Sequence, residues 1–152
     1  AEFGDSLWCV IDVDKWPMEQ IEELHSFCCQ EGNRHLVISN PCIEIWLLYH
    51  KRPDLSHLNI KNAHDAKRTL HEIEKGGYYY IKYLPLMLDA IKNAKANDSH
   101  PDKYMPKLLE TKVYQLGQAL YDRMGAMRFK KFIASLPQLE QDILKDGQYQ
   151  IP

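Results

Sequence analysis

The stretch LWCVIDVD, residues 7–14, decides the fold. Its first five residues are a short apolar run, which predicts a strand buried on both faces that opens into a loop at the aspartates. After Pro17, apolar residues at helical spacing predict an amphipathic helix over 18–30. The run HLVIS at 35–39 predicts a second buried strand. Together these segments predict a βαβ unit with two parallel strands.

Downstream of this unit the pattern becomes helical. Asn40 and Pro41 are suited to the N-cap and first turn of the next helix. Further helices are predicted over 63–74, 84–96, 111–124, 127–135 and, beginning after Pro137, 139–145, with a polar loop over 101–106. The fold class is therefore α/β, with a small parallel-sheet βαβ core at 4–60 followed by a helical C-terminal half at 61–145. Residues 1–3 resemble a cloning remnant because no initiator Met is present, and 146–152 are expected to fray.

Composition restricts the class of protein. The chain has 152 residues, 45% of them hydrophobic and 26% charged, which predicts a globular domain that folds without disulfides or a structural metal. A net charge of -2 argues against binding nucleic acid by bulk electrostatics alone. The four cysteines form no CxxC pair, so we expect buried or half-buried thiols in a reducing cytoplasm. The longest apolar stretch, 43–49, contains Glu44 and is too short to span a membrane.

Asp12 and Asp14 are the most informative polar residues. Side chains two apart in a strand point to the same face, and ligands of open α/β sheets bind beyond the carboxyl ends of the strands. A divalent cation such as Mg²⁺ or Mn²⁺ offsets the repulsion between two carboxylates and can activate water or stabilise a phosphoryl transition state. The alternative is a strand-end pair that serves as a turn and as an N-cap for the following helix.

Other residues near the predicted strand ends extend this hypothesis. Glu44, in the first turn of the second helix, can add a third carboxylate, although an acidic residue is also favourable there without any ligand. Ser39 and Asn40 are suited to bind a phosphate or to cap a helix. Lys15 can meet a substrate phosphate or remain a solvated lysine.

Two clusters later in the chain also have two interpretations. Tyrosines at 78–80 and 83, with Lys82, can stack on bases or pack in the core. A basic run beside two phenylalanines can contact phosphates or form the solvated face of a terminal helix, and the solvated face is the favoured interpretation. It consists of Arg123, Arg128, Lys130 and Lys131.

Two motifs carry a resemblance to a known family. VIDVD at 10–14 and SNPCIEIWLLYH at 39–50 resemble the RloB-like family, whose members have a hydrophobic strand with DxD and then SNPxFExWxLxH. AIKNAK at 90–95 and TKVYQL at 111–116 resemble its C-terminal portion more loosely. The family is related to Toprim domains, which implies a compact α/β nuclease or nucleotidyl-transferase fold with a magnesium site.

The resemblance also implies a setting and specific roles. Family members occur among bacterial restriction-linked and phage-defence genes, and related Toprim proteins act as nucleases on DNA or tRNA. Asp12 and Asp14 match the metal-holding DxD, and Glu44 matches the acidic position of the second motif. A Toprim site also needs a glutamate on an earlier strand, in an EGxTE motif that has no counterpart here. We therefore expect an inactive fragment whose missing strand belongs to a longer chain or to a protein partner.

The resulting prediction is a metal-dependent phosphodiesterase of the cytoplasm, with no membrane partner. Asp12 and Asp14 would bind Mg²⁺ or Mn²⁺, with Glu44 as a ligand or general base. The alternative is a non-catalytic module of the same kind of system, which docks a protein partner or senses a nucleotide without turnover.

Overall fold

A computed structural model describes residues 4–145; the expectations for 1–3 and 146–152 concern segments outside that range. The α/β prediction is confirmed. The sheet has two parallel strands, β1 (Leu7–Asp12) and β2 (Arg34–Ser39), joined by helix α1 (Met18–Cys29). The register runs from Leu7 beside Arg34 to Asp12 beside Ser39, so the two strands end at the same edge.

The outer side of β1 has no partner strand among residues 4–145. Leu7 and Val10 keep 48% and 43% of their surface exposed. The prediction that β1 is buried on both faces is therefore wrong, because apolar sequence alone does not reveal whether a strand lies at an edge. In β2, Val37, Ile38 and Ser39 are fully buried, as predicted for the second strand.

Helices dominate the remainder of the described chain. They are α2 (Glu44–Tyr49), α3 (Ala63–Ile73), α4 (Tyr80–Tyr83), α5 (Met87–Ala96), α6 (Val113–Met124) and α7 (Ala126–Lys145). The separate helix predicted after Pro137 does not exist, since α7 runs through that residue. Within 4–145 no helix combines the length and the apolar character needed to cross a membrane.

Two smaller predictions also need correction. Cys29 is exposed, whereas all four thiols were expected to be at least half-buried. The tyrosine cluster divides, because Tyr83 is buried in the core while Tyr78 and Tyr79 are largely exposed.

Helix α2 lies at the centre of the hydrophobic core. Ile45 and Leu48 are fully buried, and α2 contacts both α3 and α5. Helix α6 packs closely on α5 at Gly117, where an added Cβ would lie 3.1 Å from Cγ1 of Ile91. A glycine at this position allows the helices to approach, and the burial of α2 fixes the position of Glu44 at its start.

A later segment closes the carboxyl end of β2. Ser39 and Thr111 form an antiparallel bridge, and the N–H of Lys112 donates to the carbonyl of Ile38 at 2.8 Å. The N–H of Asn40 donates to the carbonyl of Glu110 at 3.0 Å. These bonds attach the helical half directly to the strand end that precedes the second motif.

A buried ion pair stabilises this junction. The ammonium group of Lys112 donates to both carboxylate oxygens of Asp98, at 2.7 and 2.8 Å, and to the carbonyl of His100 at 2.8 Å. The hydroxyl of Tyr114 also donates to Asp98. Lys112 and Asp98 have side chains only 1% and 0% exposed, so the three donors of the ammonium group are all used inside the protein.

His50 gives the fold a pH dependence. It is 7% exposed, and its Nδ1–H donates to the carbonyl of Trp46 at 2.9 Å. Burial lowers the pKa of His50, because the charged imidazolium is poorly solvated in the core. In the unfolded chain His50 binds a proton near pH 6.5, so its contribution to stability is present above that pH and is lost as the pH falls towards the lowered pKa.

We therefore expect the free energy of unfolding to fall between pH 7.5 and 5.5, with a slope of up to about 1.4 kcal/mol per pH unit from this group. Urea denaturation at three pH values measures it. His50→Gln should show a flatter profile, whereas His64→Gln, at an exposed position, should keep the wild-type slope. Identical slopes in wild type and His50→Gln would contradict the assignment.

Candidate functional site

The two aspartates of the first motif lie on different elements. Asp12 is the last residue of β1, and Asp14 lies in a short 3-10 turn over Val13–Lys15. The prediction that both project from one strand is therefore wrong. The N–H of Asp14 donates to the carbonyl of Pro41 at 3.1 Å, which ties this turn to the segment before α2.

Asp12 is half-buried, and the negative charges of Asp14 and Glu44 both act on its carboxylate. Burial raises the pKa of Asp12, and the negative charges of Asp14 and, more weakly, Glu44 raise it further. The backbone N–H of Ile43 donates a hydrogen bond to the Asp12 carboxylate, which acts in the opposite direction. Two of the predicted carboxylates, Asp14 and Glu44, therefore lie near enough to Asp12 to act on its charge.

Glu44 is the first residue of α2 and contains an unsatisfied atom. Its Oε2 is buried and has no hydrogen-bond partner within the part of the chain that the structure describes. The neighbouring Cys42 is fully buried. Burial raises the pKa of the Cys42 thiol, and a hydrogen bond to the Glu44 carboxylate raises it further. A buried carboxylate oxygen without a donor is costly, so a water, a cation or another donor at Oε2 would stabilise this carboxylate.

The predicted helix start at Asn40 and Pro41 is wrong. These residues are joined by a cis peptide bond, and α2 begins three residues later, with Ile43 in the N-cap position. Asn40 does not cap a helix; its side-chain amide donates to the carbonyl of Pro106 at 3.1 Å. Ser39 is fully buried, and its hydroxyl is 2.7 Å from that of Thr111. Both side chains hold the later segment in place.

Two lysines border the carboxylates. Lys15 follows Asp14 in the same turn and is exposed. Lys67, on α3, is also exposed, and its positive charge lowers the pKa of Asp12 slightly. Sequence analysis identified Lys15 but missed Lys67, because nothing in the local pattern of α3 connects it to a strand that ends at Asp12.

The three carboxylates have the ligand atoms that a hard cation prefers, but they are not arranged around a common point. Among residues 4–145, no group of three or more His, Cys, Asp or Glu side chains is arranged to hold a metal ion. Carboxylate oxygens are nevertheless the ligands that Mg²⁺ and Mn²⁺ prefer. A positive charge beside Asp12 would offset the repulsion that Asp14 and Glu44 exert on it.

Comparison with known proteins gives one match. The family model described as RloB-like protein matches residues 1–120, which include both strands, the three carboxylates and the segment that closes β2. The matched range is more than three quarters of the 152-residue chain. The search of curated proteins and the search of solved structures found no similar protein.

Proposed function

The chain belongs to the RloB-like family, and from this premise we propose that it forms the carboxylate-bearing part of a Toprim-related, metal-dependent nuclease. The substrate class is DNA or tRNA, and the reaction is hydrolysis of a phosphodiester bond. One observation carries the proposal: Asp14 and Glu44 both act on Asp12, while Oε2 of Glu44 is buried and has no hydrogen-bond partner among residues 4–145.

Each residue has a defined role in this proposal. When bound by Asp12, Asp14 and Glu44, Mg²⁺ or Mn²⁺ would offset their repulsion and supply Lewis-acid chemistry at a phosphate. The N–H of Ile43 orients the Asp12 carboxylate. Oε2 of Glu44, which has no donor in the described part of the chain, would accept a proton from water or serve as a ligand. Lys15 and Lys67 supply positive charge where a substrate phosphate would approach.

The family relationship also supports a biological setting. We place the protein in a bacterial restriction-linked or phage-defence system, in which a protein partner supplies or regulates part of the active site. The absence of a closed ligand group within 4–145 agrees with a site that needs such a contribution.

Metal binding by this chain tests the proposal directly. Mn²⁺ titration, followed by electron paramagnetic resonance, should give saturable binding to the wild-type protein. Asp12→Asn combined with Asp14→Asn should weaken it at least about tenfold, since loss of even outer-sphere partners of a metal site has effects of that size. Glu19→Gln with Glu23→Gln, at exposed positions of α1, is the matched control. Equal affinity in the two double variants would overturn the proposal.

Because residues 4–145 contain no closed ligand group, we keep one alternative, a non-catalytic module that binds a partner or a nucleotide. Labelled tRNA and single-stranded DNA, incubated with the protein and Mn²⁺ or with EDTA, separate the two functions. The nuclease proposal expects cleavage with Mn²⁺ and none with EDTA. Binding without cleavage under all these conditions supports the module instead.

A further inference from the structure

A second surface with a marked chemical character lies where α6 meets α7. An open groove of about 490 Å³ is formed there by both helices, and we call it the basic groove. Its lining residues are Leu120, Arg123 and Met124 of α6 and Arg128 and Phe132 of α7. The carboxylate site uses none of these residues.

The spacing of the residues explains why they share one groove. Leu120, Arg123 and Met124 are three and four residues apart, so they occupy one face of α6, and the same holds for Arg128 and Phe132 on α7. Gly125 ends α6 at a φ of 82°, which lets the chain turn at once into α7. The turn places the two faces against a common opening.

Charge distinguishes the basic groove from the rest of the chain. Arg123 and Arg128 are exposed, and neither takes part in an ion pair within residues 4–145. Lys130 and Lys131 follow in exposed positions. The groove lining itself has two arginines and no acidic residue, whereas the whole chain has a net charge of -2.

The lining combines this charge with apolar contact area. Leu120 is 53% exposed at the groove, and Phe132 presents an aromatic ring beside Arg128. Arginines beside an aromatic ring in an open groove are typical of single-stranded nucleic-acid binding, in which bases stack and phosphates meet the guanidinium groups. A duplex would turn its phosphates towards the arginines but would leave the apolar lining without bases to contact.

We propose that the basic groove binds a single strand of nucleic acid, with phosphates on Arg123 and Arg128 and a base against Phe132. This inference rests on the proposed nuclease function, because it names the form of nucleic acid that the protein holds. The proposal differs from the interpretation favoured by sequence analysis, in which these basic residues only form the solvated face of a terminal helix.

Binding in EDTA tests the groove separately from metal chemistry. The probe is a fluorescein-labelled, 20-nucleotide single-stranded DNA of mixed sequence, followed by fluorescence anisotropy at several salt concentrations. Arg123→Glu with Arg128→Glu should weaken binding at least about tenfold and reduce the slope of log Kd against log salt by about 1.4, because each phosphate contact to a single strand contributes about 0.7. Phe132→Leu should weaken binding about tenfold and leave the slope unchanged.

Lys92→Glu with Lys95→Glu on α5 is the matched control, because it makes the same charge change at exposed positions. Its affinity should stay within about threefold of wild type. Circular dichroism checks that all variants are folded. Equal losses in the two charge-reversed proteins, competition by duplex DNA as strong as by single strands, or no binding by the wild type would each overturn the proposal.

Together with the Mn²⁺ titration, the same assay separates this proposal from the nuclease proposal. Arg123→Glu with Arg128→Glu should bind Mn²⁺ as tightly as wild type, since the lining of the basic groove contains none of the three carboxylates. If binding depends on the groove but Mn²⁺ binding is unaffected by the aspartates, the nuclease proposal fails and the basic groove stands. If Mn²⁺ binding depends on the aspartates but strand binding is unchanged by the groove substitutions, the basic-groove proposal fails and the nuclease proposal stands.

Discussion

Replacing Lys112 with methionine is expected to reduce the free energy of unfolding by about 3–5 kcal/mol. The substitution leaves the carboxylate of Asp98 fully buried with only the hydroxyl of Tyr114 as a side-chain donor. Domains of this size are usually stable by about 5–15 kcal/mol, so one change would remove a large part of the total. Urea denaturation monitored by circular dichroism measures the difference.

Two controls show whether the loss comes from an unpaired buried charge. Arg68→Ala breaks the Arg68–Asp65 pair, in which the arginine is 55% exposed, and should change stability by less than about 1 kcal/mol. Lys112→Met combined with Asp98→Leu and Tyr114→Phe removes the charges together and should recover much of the loss. A Lys112→Met protein as stable as Arg68→Ala would contradict the expected result.

Trp46→Ala is expected to destabilise the protein by a similar amount, about 3–5 kcal/mol, through loss of buried contacts and formation of a cavity. Trp46 is 9% exposed, and its ring lies edge-on to His50 with centroids 4.8 Å apart. Its Cη2 also lies 3.4 Å from the position of a Cβ at Gly117 on α6. Because Trp46 holds α2 in place, its loss should also weaken Mn²⁺ binding through Glu44, the first residue of that helix.

Trp16→Ala is the matched comparison, since Trp16 is 46% exposed and its removal should change stability by about 0.5 kcal/mol or less. Trp46→Phe keeps an aromatic ring in the core and should fall between the two alanine variants. Urea denaturation followed by circular dichroism provides the measurement in all three proteins. Equal stability of Trp46→Ala and Trp16→Ala would show that the indole of Trp46 carries little of the packing.

The local sequence pattern was sufficient to predict the elements that pack against segments close in sequence. The apolar runs of β1 and β2 and the periodicity of α1 predicted the βαβ unit, and the structure has it. The predicted strand ends also identified the carboxylates as candidate site residues. The expectation that Asp12 and Asp14 share one strand face was wrong, because Asp14 lies in the turn after β1. The motif placed Glu44 near the start of a helix, where the structure has it.

Contacts between distant residues could not be predicted in this way. Asn40 has the local properties of a helix cap, yet its N–H, carbonyl and side chain pair with Glu110, Leu109 and Pro106. Lys112 resembles a solvated lysine in sequence, since nothing nearby indicates that it bonds to Asp98 in the interior. In both cases tertiary partners replace the solvent or local partners that pattern analysis assumes.

Pro137 shows a different limit. A proline within a helix removes one backbone donor and usually indicates a boundary. Helix α7 continues through it, with Phe129 and Leu136 buried and Pro137 itself exposed. Phe129 and Leu136 are seven residues, two helical turns, apart on one side of α7, and Leu136 directly precedes the proline, so the buried side of the helix continues up to Pro137 without a break.

The bridge between Ser39 and Thr111 also affects the order of events during protein synthesis. The two hydroxyls that meet there are 72 positions apart in the chain. A ribosome adding about 5–20 residues per second needs roughly 4–14 seconds to pass from one to the other. During that interval the carboxyl end of β2 lacks the partner that covers it, so the native junction can form only after Thr111 has been synthesised.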